Sequence, residues 1–234
     1  MIAIIVAAGS SRRMGFDKIF SNLAGEPVLM HSLRAFQNAS CVERILIVTR
    51  EERLAEVAEL GRGFSKFCRA VPGGAERHHS VWAGLRAFDP RSYHYVGIHD
   101  GARPLVFPDL IEACLATAME HGAASCAVPV TDTVKRASPA QIVLESVDRT
   151  GLWAMQTPQI FRTALILDAY EKIIEKGDLV TDEVSAMQKH GREVALLRNE
   201  DWNFKITYPR DLELAGQIME FRRMGRSLKK KDRS

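Results

Sequence analysis

The sequence has few features of membrane, secreted or metal-binding proteins. No apolar run approaches the roughly 20 residues of a membrane-spanning helix, and the first residues lack the charged region and cleavage site of a signal peptide. The cysteines stand far apart, with no Cys-x-x-Cys pair and no histidine at zinc-ligand spacing. We therefore expect a soluble, cytoplasmic protein whose free thiols are Cys41, Cys68, Cys114 and Cys126.

Common nucleotide-binding motifs are also missing. The chain contains no Gly-Lys-Ser/Thr of a Walker A loop and no Gly-x-Gly-x-x-Gly dinucleotide fingerprint. It also contains no Asp-x-Asp metal motif, which disfavours a glycosyltransferase built on a similar sheet. A nucleotide site in this chain must therefore be built differently.

The net charge of +3 is concentrated at the carboxyl end of the chain. Residues 222–234 hold seven basic side chains and one acidic one, so the remainder has 25 basic and 28 acidic residues. Such a tail could touch RNA or an acidic membrane surface, but a solvated terminus is the favoured interpretation. Because no nucleic-acid-binding module is recognisable, we predict no nucleic-acid partner and no membrane partner.

A cationic turn follows the first apolar strand. Residues 2–6 predict a buried strand, small residues follow it, and Arg12, Arg13 and Lys18 come next. Small side chains let a ligand approach the backbone, whose N–H groups can bind phosphate where a helix begins. Cations at a helix N-terminus oppose the helix dipole unless an anion lies between them. The turn predicts an anion site, with an ordinary turn carrying solvated arginines as the alternative; its small residues are Ala7, Ala8, Gly9 and Ser10.

Apolar runs alternate with amphipathic segments along the first 130 residues. This alternation predicts an α/β fold, Rossmann-like, with a mostly parallel twisted sheet and helices on both faces. Ligands bind beyond the carboxyl ends of such strands, and polar clusters follow four of them, at 10–13, 73–77, 99–104 and 131–136. The predicted strands are 2–6, 44–49, 66–71, 93–98 and 124–130, and the predicted helices are 27–38, 51–60, 76–88 and 107–121.

The pattern changes after residue 131. Polar and apolar residues alternate over 133–137 and 142–148 around a turn, which predicts a projecting β-hairpin arm over 131–150. Because a two-stranded arm is only marginally stable alone, we expect it to pack on a second subunit. Helices are predicted at 162–175, 182–190 and 209–224, and strands at 192–198 and 203–207. The chain is interpreted as one domain over residues 1–224 and a basic tail over 225–234.

Eight short motifs occur in order along nearly the whole chain. They are Ala7-Ala8-Gly9-Ser10-Ser11-Arg12-Arg13-Met14, Gly73-Gly74-Ala75-Glu76-Arg77 with Ser80-Val81, His99-Asp100-Gly101-Ala102-Arg103-Pro104, Asp132-Thr133-Val134-Lys135-Arg136, Val147-Asp148-Arg149-Thr150-Gly151-Leu152-Trp153, Gln156-Thr157-Pro158-Gln159, Thr181-Asp182-Glu183 and Asn203-Phe204-Lys205-Ile206-Thr207. Each is a weak signal alone, but together they resemble the 2-C-methyl-D-erythritol 4-phosphate cytidylyltransferase family. The chain has Phe16-Asp17-Lys18-Ile19-Phe20 where that family usually has a Pro-Lys-Gln-type sequence.

The resemblance implies a nucleotidyltransferase that moves CMP from CTP to 2-C-methyl-D-erythritol 4-phosphate and releases pyrophosphate in isoprenoid synthesis. A cytidylyltransferase for ribitol 5-phosphate or another polyol phosphate remains the alternative. Mg²⁺ is implied with CTP, held mainly by phosphate oxygens and water, and no protein metal site is predicted. In the family the arm reaches into the neighbouring subunit, which implies a homodimer with a shared active site.

The resemblance also implies which residues contact each substrate. Arg13 and Lys18 would stabilise the pentavalent α-phosphate, although Lys18 alone would be read as a surface lysine. Arg149 and Lys205 would position the attacking phosphate. The nucleotide set is Ala7, Ala8, Gly9, Ser10, Gly74, Ala75, Glu76, Ser80 and Asp100, and the acceptor set is Asp100, Arg103, Thr133, Arg149, Thr157, Thr181 and Lys205.

Asp100 and Arg103 carry two interpretations. Asp100 ends a predicted strand and could face the metal and ribose or the second substrate, and Arg103 suits a phosphate or a carboxylate partner. The alternative is an internal ion pair between them that shapes the turn. We favour the ligand role because binding sites gather at strand ends.

Overall fold

A seven-stranded sheet forms the centre of the fold in the computed structural model, which describes residues 1–9 and 15–231. The strands along the chain are β1 (Ile2–Val6), β2 (Asn22–Leu23), β3 (Glu26–Pro27), β4 (Arg44–Thr49), β5 (Phe67–Pro72), β6 (Tyr95–Asp100), β7 (Ala123–Pro129), β8 (Val134–Ala137), β9 (Val143–Val147), β10 (Trp153–Arg162) and β11 (Ala195–Arg198). The sheet order is β11-β7-β10-β6-β1-β4-β5, and β2–β3 and β8–β9 are separate ribbons. All neighbours in the sheet are parallel except those of β10.

Strand β1 is buried on both faces, which explains why its sequence is continuously apolar. Ala3 and Ile5 belong to the apolar core on one face of the sheet. Ile2 and Ile4 belong to the core on the opposite face. The predicted mostly parallel sheet with helices on both faces is therefore confirmed.

The described part of the chain contains the seven predicted helices, and six of them cover the central sheet. One core is shared by α1 (Val28–Asn38), α2 (Leu54–Gly61) and α4 (Pro108–His121). The opposite core is shared by α3 (Arg77–Leu85), α5 (Thr163–Lys176) and α6 (Glu183–Lys189). The last helix, α7 (Pro209–Lys231), packs Ala215 and Ile218 against a smaller cluster that includes Leu105. It continues beyond residue 224, where the sequence pattern placed its end.

Strand β10 was not predicted, and its sequence explains why. Pro158 stands inside it, and a proline that cannot donate to a strand ladder argues against a central strand. The structure accommodates Pro158 at a break in the pairing with β7, where the register shifts between Met155 and Gln159. The strand is antiparallel to both β6 and β7 and makes the sheet mixed.

The predicted hairpin is confirmed as β8–β9, which pairs with neither edge of the main sheet. Its second half carries a run of apolar side chains that lie between 61% and 65% exposed, namely Ile142, Val143 and Leu144. A strand predicted over residues 203–207 is wrong. That segment is irregular and is held by a hydrogen bond from the Ile206 amide to the Ala102 carbonyl, 2.8 Å long.

Two sequence-based expectations concern the class of protein. The four cysteines are free, as predicted. Among the described residues, no helix combines the length and the apolar character that crossing a membrane requires.

Candidate active site

Backbone hydrogen bonds hold the loops at the carboxyl edge of the sheet together. They run across the strand ends, from the Ala7 amide to Val48 O (2.7 Å), from the Gly73 amide to Thr49 O (2.7 Å) and from the Gly101 amide to Val6 O (2.9 Å). The described start of the loop after β1 and two of the polar clusters found in the sequence, at 73–77 and 99–104, therefore lie at one edge of the sheet. This is the place where ligands of parallel α/β sheets bind.

The glycine pair after β5 packs too closely for any side chain. A Cβ on Gly73 would lie 2.5 Å from the Ala8 Cβ and 2.7 Å from the Ser80 Oγ. A Cβ on Gly74 would lie 2.4 Å from the Cβ of His79. The Ser80 hydroxyl accepts from the Gly74 amide at 3.1 Å. Small residues thus bring this loop against the end of β1 and leave backbone, not side chains, on its surface.

Asp100 is the electrostatic centre of the site. The side chain is 9% exposed to solvent, yet its carboxylate meets three cations. The Arg77 Nε lies 3.1 Å from Oδ1, and the Lys205 Nζ and Arg103 Nε lie 3.0 Å and 3.5 Å from Oδ2. Burial opposes ionisation, but Arg77, Lys205 and Arg103 outweigh it and hold the pKa of Asp100 well below its usual range.

Arg77 also pairs with a second, fully buried carboxylate. Its Nη1 and Nη2 lie 2.6 Å and 3.0 Å from the two oxygens of Glu183, and the Tyr170 hydroxyl donates to the same carboxylate at 3.0 Å. Burial acts to lower the pKa of Arg77, but Glu183 and Asp100 raise it well above its usual value. The pair fastens the start of α3 to the start of α6. These contacts were not predicted, because no local spacing links residues so distant in the sequence.

Arg103 extends the network to two other segments. Its Nη1 donates to the Asn203 carbonyl at 2.9 Å and its Nη2 donates to the Met155 carbonyl at 3.4 Å. Burial lowers the pKa of Arg103, and the nearby Asp100 carboxylate opposes that shift. The internal ion pair considered for Asp100 and Arg103 is therefore present.

His99 and Thr157 form a buried chain of hydrogen bonds behind Asp100. The Asp100 amide donates to the Thr157 Oγ1 at 3.0 Å, and that hydroxyl lies 2.9 Å from the His99 Nδ1. The His99 Nε2 lies 3.3 Å from the Arg103 carbonyl. Because a carbonyl can only accept, Nε2 carries the proton and Nδ1 accepts from the threonine. The Thr157 hydroxyl thus both accepts and donates within the fold.

Lys18 is 91% shielded from solvent and so is not a surface lysine. Its Nζ donates to the Ile206 carbonyl at 2.8 Å. The preceding residue, Lys205, reaches Asp100. One short irregular segment therefore carries one of the two lysines that the sequence singled out and binds the other. Arg13 and Ser10, the other predicted residues of the first loop, lie outside the described residues.

A cleft of about 580 Å³ opens beside Asp100. Five of the seven residues predicted for acceptor binding line it, namely Asp100, Arg103, Thr157, Thr181 and Lys205. The lining does not include Thr133 or Arg149, which belong to the hairpin region; the Arg149 Nη1 donates to the Thr131 carbonyl. It also does not include the predicted nucleotide residues: Ala7, Ala8, Gly9, Gly74, Ala75 and Glu76, which lie in the loops after β1 and β5, and Ser80, which lies in the first turn of α3.

Gln156 and Gln159, which the sequence did not single out, form one wall of the cleft, and the buried amides of Asn199 and Asn203 bind Gln156. The Gln156 Oε1 accepts from Asn199 at 2.9 Å and from Asn203 at 3.3 Å. Gln159 donates to the Asp182 carboxylate at 3.0 Å. Gln156, Gln159 and Asn203 had only their place in the motifs as a signal, and Asn199 had none. The wall fixes β10 against the segment that carries Lys205.

A mostly parallel α/β sheet with a small-residue loop and a cation-lined cleft at its carboxyl edge suits an enzyme that binds phosphate groups, and the comparison with known families identifies its class as nucleotidyltransferase. The chain belongs to the IspD family, 2-C-methyl-D-erythritol 4-phosphate cytidylyltransferase, whose model matches residues 1–221. Its activity is the CTP-dependent cytidylylation of 2-C-methyl-D-erythritol 4-phosphate in isoprenoid synthesis.

Relatives of that name resemble the chain over nearly its full length. The Symbiobacterium thermophilum protein is 41% identical over 219 residues, covering 93% of this chain and 92% of the relative. The Lachnospira eligens protein is 38% identical over 225 residues, covering 93% and 98%. Among solved structures, the Thermus thermophilus cytidylyltransferase has a TM-score of 0.77 at 30% identity, covering 93% of this chain and 98% of that one. The Anaerococcus prevotii 4-diphosphocytidyl-2C-methyl-D-erythritol synthase has a TM-score of 0.82 at 28% identity, covering 94% and 95%.

The burial of His99 predicts a pH dependence of stability. Burial lowers the pKa of His99 to about 3, whereas the unfolded chain takes up this proton near 6.5. Stability present above pH 6.5 is therefore lost as the pH falls from 6.5 towards 3. From pH 7 to pH 5, His99 should remove about 2 kcal/mol from the free energy of unfolding. Urea unfolding of the wild type and H99Q at both pH values measures this.

The control is H121Q, since that ring is half exposed. It should keep the pH dependence of the wild type, whereas H99Q should flatten it. Equal pH dependence in H99Q and the wild type would contradict the buried neutral imidazole.

Proposed function

We propose that the cleft beside Asp100 receives 2-C-methyl-D-erythritol 4-phosphate and that CTP lies on the adjoining loops after β1 and β5. The observation that carries this assignment is that the segment bearing Lys205, which reaches Asp100, also accepts a hydrogen bond from Lys18 at the Ile206 carbonyl. Two cations tied to one segment suit a reaction in which two phosphates must meet.

The nucleotide side would use backbone more than side chains. The tight packing around Gly73 leaves no room for a side chain there. A base and ribose could therefore approach the main-chain N–H and C=O groups directly. Asp100 would face the ribose and metal side of CTP. The proposed set is Ala7, Ala8, Gly9, Ser10, Gly74, Ala75, Glu76, Ser80 and Asp100.

The reaction is an in-line displacement at the α-phosphorus of CTP. An oxygen of the acceptor phosphate attacks, the bond to the β-phosphate oxygen breaks, and pyrophosphate leaves with that electron pair. The protein's part is to position both anions and to neutralise the charge of the pentavalent transition state. Lys18, already held by a backbone carbonyl, and Arg13 would carry that charge. Removing one such group costs on the order of 100-fold to 1,000-fold in turnover.

The acceptor side would use the cations of the Asp100 network. Lys205 lies 3.0 Å from Asp100 and lines the cleft, so an incoming phosphate can take over part of that interaction. Arg103 and Arg149 are the other proposed phosphate contacts. The hydroxyls proposed for the polyol are those of Thr133, Thr157 and Thr181.

Mg²⁺ is proposed to enter with CTP. Among the described residues, no group of three or more histidine, cysteine or acidic side chains is placed to hold a metal. Both oxygens of Asp100 already meet cations. This suits an ion held mainly by phosphate oxygens and water, with Asp100 as the nearest protein carboxylate. The ion would offset the charge of the triphosphate.

The hairpin is proposed to complete the site of a second subunit. Its exposed apolar run at 142–144 needs a covering surface, and Arg149 and Thr133 stand outside the cleft of their own chain. We therefore propose a homodimer with residues 131–150 as the exchanged arm, on one nucleotidyltransferase domain spanning residues 1–224. We also propose that residues 225–234 form a basic tail. The proposed location of the enzyme is the cytoplasm.

The acceptor preference follows from the proposed site. With CTP and Mg²⁺, the protein should release pyrophosphate rapidly with 2-C-methyl-D-erythritol 4-phosphate and hardly at all with ribitol 5-phosphate. A coupled pyrophosphate assay at matched acceptor concentrations measures both rates. The reverse preference would contradict the assignment.

The shared site predicts complementation between inactive subunits. K18A removes a group from the main body and R149A removes one from the arm, so each homodimer should be nearly inactive. A mixed dimer would contain one site with both lesions and one intact site. Because random pairing makes half of the dimers mixed, co-expressed subunits should recover about one quarter of wild-type activity.

The matched control is co-expression of K18A with K205A, since both residues belong to the main body of one chain. That pair should recover no activity. If K18A and R149A together also remain inactive, the arm does not complete a partner's site.

A further inference from the structure

Asp17 stands directly before Lys18, a proposed catalytic lysine. A proline would fix φ and stiffen the backbone without any partner, whereas an aspartate does not restrict its own backbone in that way. Contacts of the Asp17 side chain are therefore what can hold the turn at this position.

The Asp17 carboxylate lies between two arginines that follow β4. The Arg50 Nη2 donates to Oδ2, and the Arg53 Nη2 lies 3.5 Å from the same oxygen. The other oxygen, Oδ1, accepts from the Ile19 amide at 3.3 Å. The side chains of this cluster are between 18% and 34% exposed, so solvent screens the ion pairs less than it would at an open surface.

The backbone and the neighbouring ring strengthen the same attachment. The Asp17 carbonyl accepts from the Ser21 hydroxyl at 2.9 Å. The Arg53 guanidinium lies over the Phe20 ring, 4.5 Å from its centre. The hydrogen bond from Ser21 closes the turn 17–21, and the contacts of Asp17 and Phe20 fix that turn to residues 50–53.

Lys18 makes its contact with a different part of the fold. Its ammonium group reaches the Ile206 carbonyl, in the segment that carries Lys205. The turn at Asp17 therefore sets where Lys18 leaves the backbone, while Ile206 holds the far end of its side chain. An error of about 1 Å in placing a catalytic group can cost on the order of 100-fold in rate.

We propose that Asp17 is a positioning residue for Lys18, acting through its ion pairs with Arg50 and Arg53. This inference rests on the proposed role of Lys18 in the transition state. Asp17 touches neither substrate. Its charge holds the turn before Lys18 in place, as a residue with a restricted backbone would.

A double-mutant cycle of Asp17 and Lys18 tests the proposal. Turnover and KM for both substrates are measured for the wild type, D17A, K18A and D17A/K18A, and the thermal midpoint of each is recorded. We expect D17A to lower kcat by about 10-fold to 100-fold and to leave each KM within about twofold. In the K18A background, D17A should cause no further loss, because the residue through which it acts is gone.

Two more variants separate charge from local structure. D17N keeps an acceptor for the Ile19 amide but removes the charge, and it should lose activity as D17A does. R50Q breaks the same ion pair from the other side and should also lower kcat, which keeps the test valid should D17A fold poorly. The matched control is E59A, which removes the carboxylate of an exposed ion pair with Arg62, 2.6 Å long, and should keep wild-type kcat.

The outcomes distinguish this inference from the function on which it rests. A slow K18A with a D17A at wild-type kcat would overturn the role of Asp17 alone. Equal losses from D17A in both backgrounds would also overturn it, since Asp17 would then act independently of Lys18. A K18A enzyme at wild-type kcat would overturn the role of Lys18 and, with it, the positioning role.

Discussion

The structure of the site depends on one buried carboxylate that is kept ionised by three cations. An ionised carboxylate in a protein interior is costly unless it is paired and hydrogen-bonded. Asp100 meets both conditions, with Arg77, Arg103 and Lys205 around its oxygens and Thr157 behind its amide. Each of these partners comes from a different part of the chain. The carboxylate therefore fixes the relative positions of α3, the turn after β6 and the segment before α7.

The same interaction sets the electrostatic state of the cleft. Arg77, Arg103 and Lys205 all line the cleft around Asp100, and the buried carboxylate of Glu183 compensates the charge of Arg77. An arriving phosphate therefore meets cations that are already in place and need little reorganisation. His99 stays neutral beside them and orients Thr157, so the polar groups behind Asp100 are satisfied without adding charge.

Much of this arrangement could be predicted from the sequence, because parallel sheets bring distant strand ends to one edge. Asp100, Arg103 and Lys205 were singled out by their motifs, and they do meet. What escaped prediction depends on long-range packing or on broken patterns. Pro158 hid β10, and the pairing of Arg77 with Glu183 has no local signal in the sequence. The anchoring of Asp17 by Arg50 is likewise visible only once the loops are assembled.

The ionisation of Asp100 can be measured directly by ¹³C NMR of its carboxyl group, assigned by comparison with D100N, between pH 7 and pH 4. The network predicts a carboxyl signal that stays at its ionised position throughout this range, while unperturbed aspartates change near pH 4. A titration of Asp100 with a midpoint at or above about 4 would contradict the role of the three cations.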